Sequence, residues 1–374
     1  MADRVTCPSC GVDVPDGRYC IRCGSQLDRA TRRFGANPHE RAGLPHLVST
    51  LFPGLPRAEM RSFRIVLAAG AVLTVALALL GLFPLALTSA ALLVPVLTVL
   101  YLWDVDVYED QPWRVVGLTV GIGVAAGVLL GLGTELVLPE TDTVAGVVVP
   151  LLALTLALAG PVALLLPRAR FNDILDGATF GAVSAASLTA AMALTRGASL
   201  LAGGLSPDGD TSEWLLRLAG LGIGMPVLAM CAAGGAATAL WARFRAPLAD
   251  AGALGPLARP IVAVPAAAAL MVVASVTQIA LPGARWIAVL IVLDVLGLLW
   301  LRHAIHEGMR QQAAERTEGP PAPCRECGES SIAHSYCAHC GTSRTALPKG
   351  EAAHGRSPLV LVPAAVLALS LIHI

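Results

Sequence analysis

Eight of the nine cysteines fall into two blocks with one spacing, Cys7-x-x-Cys10 with Cys20-x-x-Cys23 and Cys324-x-x-Cys327 with Cys337-x-x-Cys340, and in both blocks nine residues separate the pairs. A glycine follows the second cysteine of every pair, at Gly11, Gly24, Gly328 and Gly341. Glycine tolerates the tight turn that lets a backbone amide approach a thiolate. Four thiolates in two such knuckles make a closed tetrahedral site, which suits a structural zinc ion and leaves no open coordination position for catalysis. The expected ligands are Cys7, Cys10, Cys20 and Cys23 for one ion and Cys324, Cys327, Cys337 and Cys340 for a second. An iron site of rubredoxin type and a dithiol redox pair are the competing readings of the same spacing.

Each block is too short to bury a core, so metal binding must supply most of its folding free energy. The first balances Arg18 and Arg22 against Asp13 and Asp16, and the second balances Arg325 and Arg344 against Glu326 and Glu329. Neither offers the basic face that nucleic acid requires, and the formal net charge of the chain is +0. Docking to a cytosolic protein partner, or of one block on the other, is the better expectation. His334 and His339 lie within the second block, but four thiolates already complete that site, so both read as solvated. The two blocks, at 1–30 and 323–345, resemble the short zinc-ribbon family found at the ends of many bacterial membrane proteins, a resemblance that implies two structural zinc ions and a bacterial plasma membrane.

What must position these blocks is a membrane domain. With 55% hydrophobic and 14% charged residues and a mean hydropathy of +0.70, the chain lies outside the range of soluble domains. A bilayer span needs about 20 apolar residues. Eight such runs are expected, at roughly 65–83, 84–103, 115–138, 144–166, 174–195, 215–241, 260–281 and 285–305. The fold class is therefore an all-α polytopic membrane helix bundle carrying two small four-cysteine zinc ribbons. Segments 31–64, 306–322 and 346–356 read as linkers. An apolar run at 357–374 reads as a partial, truncated ninth span, because Leu369–Ile374 resembles translated sequencing-adapter sequence. The polar, cysteine-rich start does not have the pattern of a signal peptide. Lys and Arg are retained on the cytoplasmic side of short loops. With the N-terminus inside, only Arg196, Arg217 and Arg285 of the 26 basic residues fall outside. Both ribbons are thus expected in the cytosol, where disulfides are disfavoured.

Two stretches carry a second resemblance. Tyr101-Leu-Trp-Asp-Val-Asp-Val-Tyr-Glu-Asp-Gln-Pro-Trp113 is similar to the acidic loop ending in Glu-Pro of PrsW-type intramembrane metalloproteases. Phe171-Asn-Asp173-Ile-Leu-Asp176-Gly177-Ala-Thr-Phe180-Gly181-Ala182 resembles that family's Asp-Gly signature, with a slightly different aspartate spacing. The resemblance covers 65–305 and implies a metalloprotease-like bundle. It also implies a Glu-Glu pair before the signature, yet Pro150–Leu166 contains no acid. A further glutamate would fall near Met192 and a histidine within Gly224–Cys231, and neither is present. A metalloprotease needs ligands for an open metal site and a general base. The resemblance therefore points to an inactive relative.

The remaining ionisable groups have structural readings. Asp173 and Asp176 have the spacing of an acidic helix cap. Asp294, mid-span, is expected to face the bundle interior, with Thr277 or Gln278 as hydrogen-bond partners. His303 with Glu307, and His306 with Arg310, read as a solvated helix face rather than a metal site. Cys231 reads as a small packing residue. The glycines at 117, 121, 123, 127 and 131, with Gly220, Gly224, Gly234 and Gly235, read as grooves for close helix packing. The leading expectation is a non-catalytic scaffold or regulator whose ribbons engage proteins. An intramembrane metalloprotease with displaced ligands and a small transporter or channel using Asp294 are the alternatives.

Overall fold

The computed structural model describes residues 3–8, 10–28, 61–105, 113–137, 141–165, 173–202, 211–245, 254–281 and 283–344. Most of the linker 31–64, the linker 346–356, the terminal segment 357–374, residues 106–112 of the acidic loop and Phe171–Asn172 lie outside them. The chain divides into two compact units, Met1–Ala68 with Val99–Glu109 and Ala313–Ile374, and Ala69–Thr98 with Asp110–Gln312.

Each of the eight expected full spans is helical: α1 Arg61–Leu79, α2 Phe83–Val105, α3 Trp113–Leu136, α4 Val144–Leu164, α5 Ile174–Ala202, α6 Thr211–Phe244, α7 Pro260–Ala280 and α8 Ala284–Glu315. Seven of these are long and apolar enough to cross a bilayer, and α1 contributes a shorter apolar run, Phe63–Leu79. The chain is a multi-pass helical membrane protein by length and composition. α1 stops at Gly81, whose φ of 73° admits a left-handed residue at low cost. The Gly81 amide donates to Ala78 O and the Leu82 amide to Leu77 O, which satisfies the carbonyls that the helix end would otherwise leave bare. α2 then begins at once, and Thr74 of α1 is hydrogen-bonded to Ser89 of α2 at 3.0 Å.

α5 is the axis of the larger unit, with 83% of its span buried against 28% for α7 and for α8. Its start shows the cap that its acids suggest. The Asp173 amide donates to Asp176 Oδ2 at 3.1 Å, and the Leu175 amide donates to Asp173 Oδ1. Gln312 Nε2, on the polar extension of α8, donates to Asp173 Oδ2.

Small residues let α5 be surrounded. A Cβ at Gly127 of α3 would stand 2.2 Å from Leu188 O of α5, and one at Gly181 of α5 would stand 2.5 Å from Ala233 O of α6. Backbone therefore lies directly on backbone, the arrangement that drives helix association where water supplies no hydrophobic force. The glycine stripe of α3 is used only in part: Gly123, Gly127 and Gly131 face α5, whereas Gly117 and Gly121 have nothing within 4 Å. On α6, Gly235 receives the Trp300 ring of α8 and Gly220 receives Trp286. The glycine-rich Leu218–Gly224 stretch of α6 is wound as a π-helix, a feature that apolar periodicity does not signal.

The two ribbons share the smaller unit. β1 (Arg4–Thr6) pairs antiparallel with β2 (Asp13–Pro15), and β3 (Pro321–Pro323) pairs with β4 (Ser330–Ile332). The hairpins repeat each other residue for residue, down to the isolated bridges Tyr19–Gln26 and Tyr336–Ser343.

Candidate metal centres

Each knuckle is built by the same short hydrogen-bond cycle. In the first, the Cys7 amide donates to Val12 O and the Gly11 amide returns to Cys7 O at 2.9 Å, while Gly11 takes a φ of 70°. Cys20 and Gly24, Cys324 and Gly328, and Cys337 and Gly341 repeat it, with φ of 72°, 77° and 69° at the glycines. A side chain at those dihedrals is strained. The turn brings the amide beyond each glycine onto the sulfur before it, Val12 to Cys10, Ser25 to Cys23, Glu329 to Cys327 and Thr342 to Cys340. These donors offset negative charge that a thiolate cluster would otherwise concentrate.

The eight cysteines named by spacing are brought together as two sets of four. Within each set the sulfurs lie within 4.8 Å of one another. Cys7 and Cys23 are separated by 3.7 Å and Cys10 and Cys20 by 3.8 Å; Cys324 and Cys340 by 3.7 Å and Cys327 and Cys337 by 3.8 Å. These separations are far too long for disulfides, and all eight thiols are free. Four sulfurs placed tetrahedrally around an ion at about 2.3 Å would have edges of about 3.8 Å, so both sets fit such an ion. The sulfurs also resist ionising independently. Hydrogen bonds from Cys20 and Cys23 draw the Cys10 thiol down, while Cys23, held against Cys10, is pushed up. Burial likewise pushes the Cys340 thiol up. Four thiolates in one small volume need a cation among them.

Spacing did not reveal how the ribbons meet. The Tyr19 amide donates to Ala338 O at 2.8 Å, and the Tyr336 amide donates to Ile21 O at 2.8 Å. The Tyr336 ring lies over Gly24, and the Tyr19 ring lies over Gly341. Both tyrosines are buried, at 0% and 4% exposure. Arg4 adds an ion pair with Glu318 at 2.7 Å, which holds the Glu318 carboxyl below the usual carboxylate range. The available signal was the Tyr-Cys dipeptide that opens the second knuckle of each block.

His334, expected at the surface, is 6% exposed; its Nδ1 accepts the Ser335 amide, and burial and Arg22 hold its pKa down. The burial follows from ribbon pairing, since Arg22 and Ile21 of the first ribbon are among its neighbours. His339 is exposed as expected.

In the bundle, Glu307, expected on a solvated face of α8, is instead 7% exposed, while His303 and His306 of the same segment are half-buried. Gly308 of the same turn seats Leu175 of α5, which explains the close approach. Asp294 faces Gly224 of α6, and its Oδ1 is buried without a hydrogen-bond partner among the described residues. Thr277 does not reach it, because its hydroxyl donates to Val273 O and Ala274 O of its own helix. Cys231 is fully buried against Gly297. A cavity of about 10 Å³ among Ala153, Leu188, Thr189, Ala233 and Met271 holds no more than one water. Among the described residues, the groups of three or more His, Cys, Asp or Glu able to hold a metal ion are the two cysteine sets.

Fold and sites together define a multi-pass helical membrane protein with a pair of four-cysteine clusters able to hold metal. No protein-family model, curated protein or solved structure matches the chain, so the zinc-ribbon and PrsW-type resemblances rest on the quoted residues alone.

Proposed function

We propose that this chain is a non-catalytic membrane scaffold or regulator that presents a zinc-bound ribbon pair to cytosolic proteins. The sulfur tetrahedra carry this reading: both are complete with four cysteines and leave no position for a substrate. Zinc is the ion of this reading because four thiolates suit a structural zinc site and a small hairpin gains its folding free energy from such an ion; iron fits the same sulfur geometry, and metal analysis separates the two. The pairing of the ribbons in one unit supports a shared compartment, since an even number of crossings returns the chain to its starting side. Eight helices satisfy that parity when α1 crosses, and its 19 residues reach about 28 Å, near the thickness of a bilayer core. The distribution of Arg and Lys makes that side the cytosol, in a bacterial plasma membrane by the ribbon resemblance. The PrsW-like half is read as a bundle that has kept its packing without protease ligands.

The test is affinity capture of cytosolic proteins on the full chain in nanodiscs, with wild type beside Cys20→Ser and Cys337→Ser. A protein retained by wild type and reduced at least tenfold by either variant supports docking through the ribbons. Equal retention by all three, or zinc-dependent cleavage of a membrane substrate by the purified wild type, contradicts it.

A further inference from the structure

The contacts between the ribbons are reciprocal. Tyr19 in the first ribbon stands where Tyr336 stands in the second, Ile21 where Ala338 stands, and Gly24 where Gly341 stands. Each tyrosine amide bonds the carbonyl of the other ribbon's Ile21 or Ala338, and each ring covers the other's knuckle glycine. This is the arrangement of a twofold dimer made within one chain, each half presenting the same patch to the other. The patch lies inside the metal-binding knuckles. Tyr19 and Ile21 flank the ligand Cys20, and Tyr336 and Ala338 flank the ligand Cys337. Ala338 also joins the buried cluster formed by Cys7, Val14, Cys20 and Ile21, so the apolar core of the first ribbon is completed by the second.

From this geometry we infer that the two metal sites load cooperatively, each ion raising the affinity of the other ribbon for its own. The inference rests on the reading that both cysteine sets bind metal. A ribbon of this size folds when its ion binds. Folding of one ribbon builds the surface on which the other packs, and anything that binds only the folded form stabilises it. Coupling between two sites is reciprocal, so an ion in the first site favours the second as much as the reverse. Ion loss from either ribbon therefore loosens the pair as a whole, and a pair of ordinary structural sites acquires a steep response to free metal.

Cobalt titration of the reduced, metal-free full chain in nanodiscs, followed by thiolate-to-cobalt absorption and back-titrated with zinc, tests the coupling. Wild type is expected to take up two ions with a Hill coefficient above 1. Cys20→Ser and Cys337→Ser each leave one intact set, and its affinity is expected to fall at least tenfold below the wild-type mean. Gly17→Leu and Ala338→Glu keep all eight cysteines but intrude on the interface, where a Gly17 Cβ would already stand 3.1 Å from Ala338 Cβ. Both are expected to bind two ions at lone-site affinity with a Hill coefficient of 1. Lone sites within twofold of wild type, or interface variants that retain wild-type cooperativity, overturn the coupling while leaving the metal sites standing. Failure of wild type to bind either ion overturns the metal reading itself.

Discussion

Chelation of the metal from the purified protein at neutral pH is expected to unfold both ribbons while the helical signal of the bundle persists. Binding of a structural zinc ion supplies about 10–16 kcal/mol in small finger-type domains. Little else here competes with that figure. Each hairpin has two strands of three residues, and its buried cluster is small: Cys7, Val14, Cys20, Ile21 and Ala338 around the first, and Cys324, Cys337 and Cys340 in the second. Without an ion, the backbone turns at Gly11, Gly24, Gly328 and Gly341 surround sulfurs that repel one another once ionised. Amide exchange reads the outcome directly. The Tyr19 and Tyr336 amides, which bond Ala338 O and Ile21 O, are expected to lose protection together on addition of a high-affinity chelator and to regain it with zinc. Circular dichroism of the helices should change only slightly. Persistent protection in the metal-free state would show that the ribbons hold together by packing alone.

The second large effect lies inside the bundle. Gly127→Ala and Gly181→Ala each place a methyl group against a backbone carbonyl, at 2.2 Å from Leu188 O and 2.5 Å from Ala233 O. A carbonyl within a helix cannot rotate aside as a side chain would, so α3 or α6 must move away from α5. Overpacking of this kind costs about 1–3 kcal/mol, and the double variant removes contact on two sides of the most buried helix. Gly121→Ala is the matched control, since nothing lies within 4 Å of the added methyl. Thermal unfolding in detergent is expected to show a clear fall in Tm for the first two variants and no fall for the control. Equal behaviour of all three would mean that the helices do not meet where these glycines lie.

Much of this architecture was legible in the sequence because its signals are local and repeated. Two knuckle pairs with identical spacing mark the two ligand sets, and the apolar runs are separated by Pro, Gly and charge, so both the cysteine sets and the helices follow from counting. The acidic cap at Asp173 and Asp176 was legible for the same reason, as side chain and amide lie within one turn. Docking of one ribbon on the other was among the expectations, but the residues that make the contact were not legible, because it depends on Tyr19 and Tyr336, which lie far apart in sequence. The burial of His334 was missed through the same blindness, since the other ribbon, distant in sequence, covers it. The α3 stripe shows the converse: five glycines share one pattern, yet only three face a neighbour.

X-ray absorption at the zinc K-edge of the full chain in nanodiscs, with total metal measured on the same sample, reports which ion each ribbon holds and what surrounds it. Two zinc ions per chain, each with four sulfur neighbours at about 2.3 Å and no nitrogen or oxygen neighbour, is the predicted result. Iron in place of zinc, fewer than four sulfurs per ion, or a metal-free protein with oxidised cysteines would contradict it.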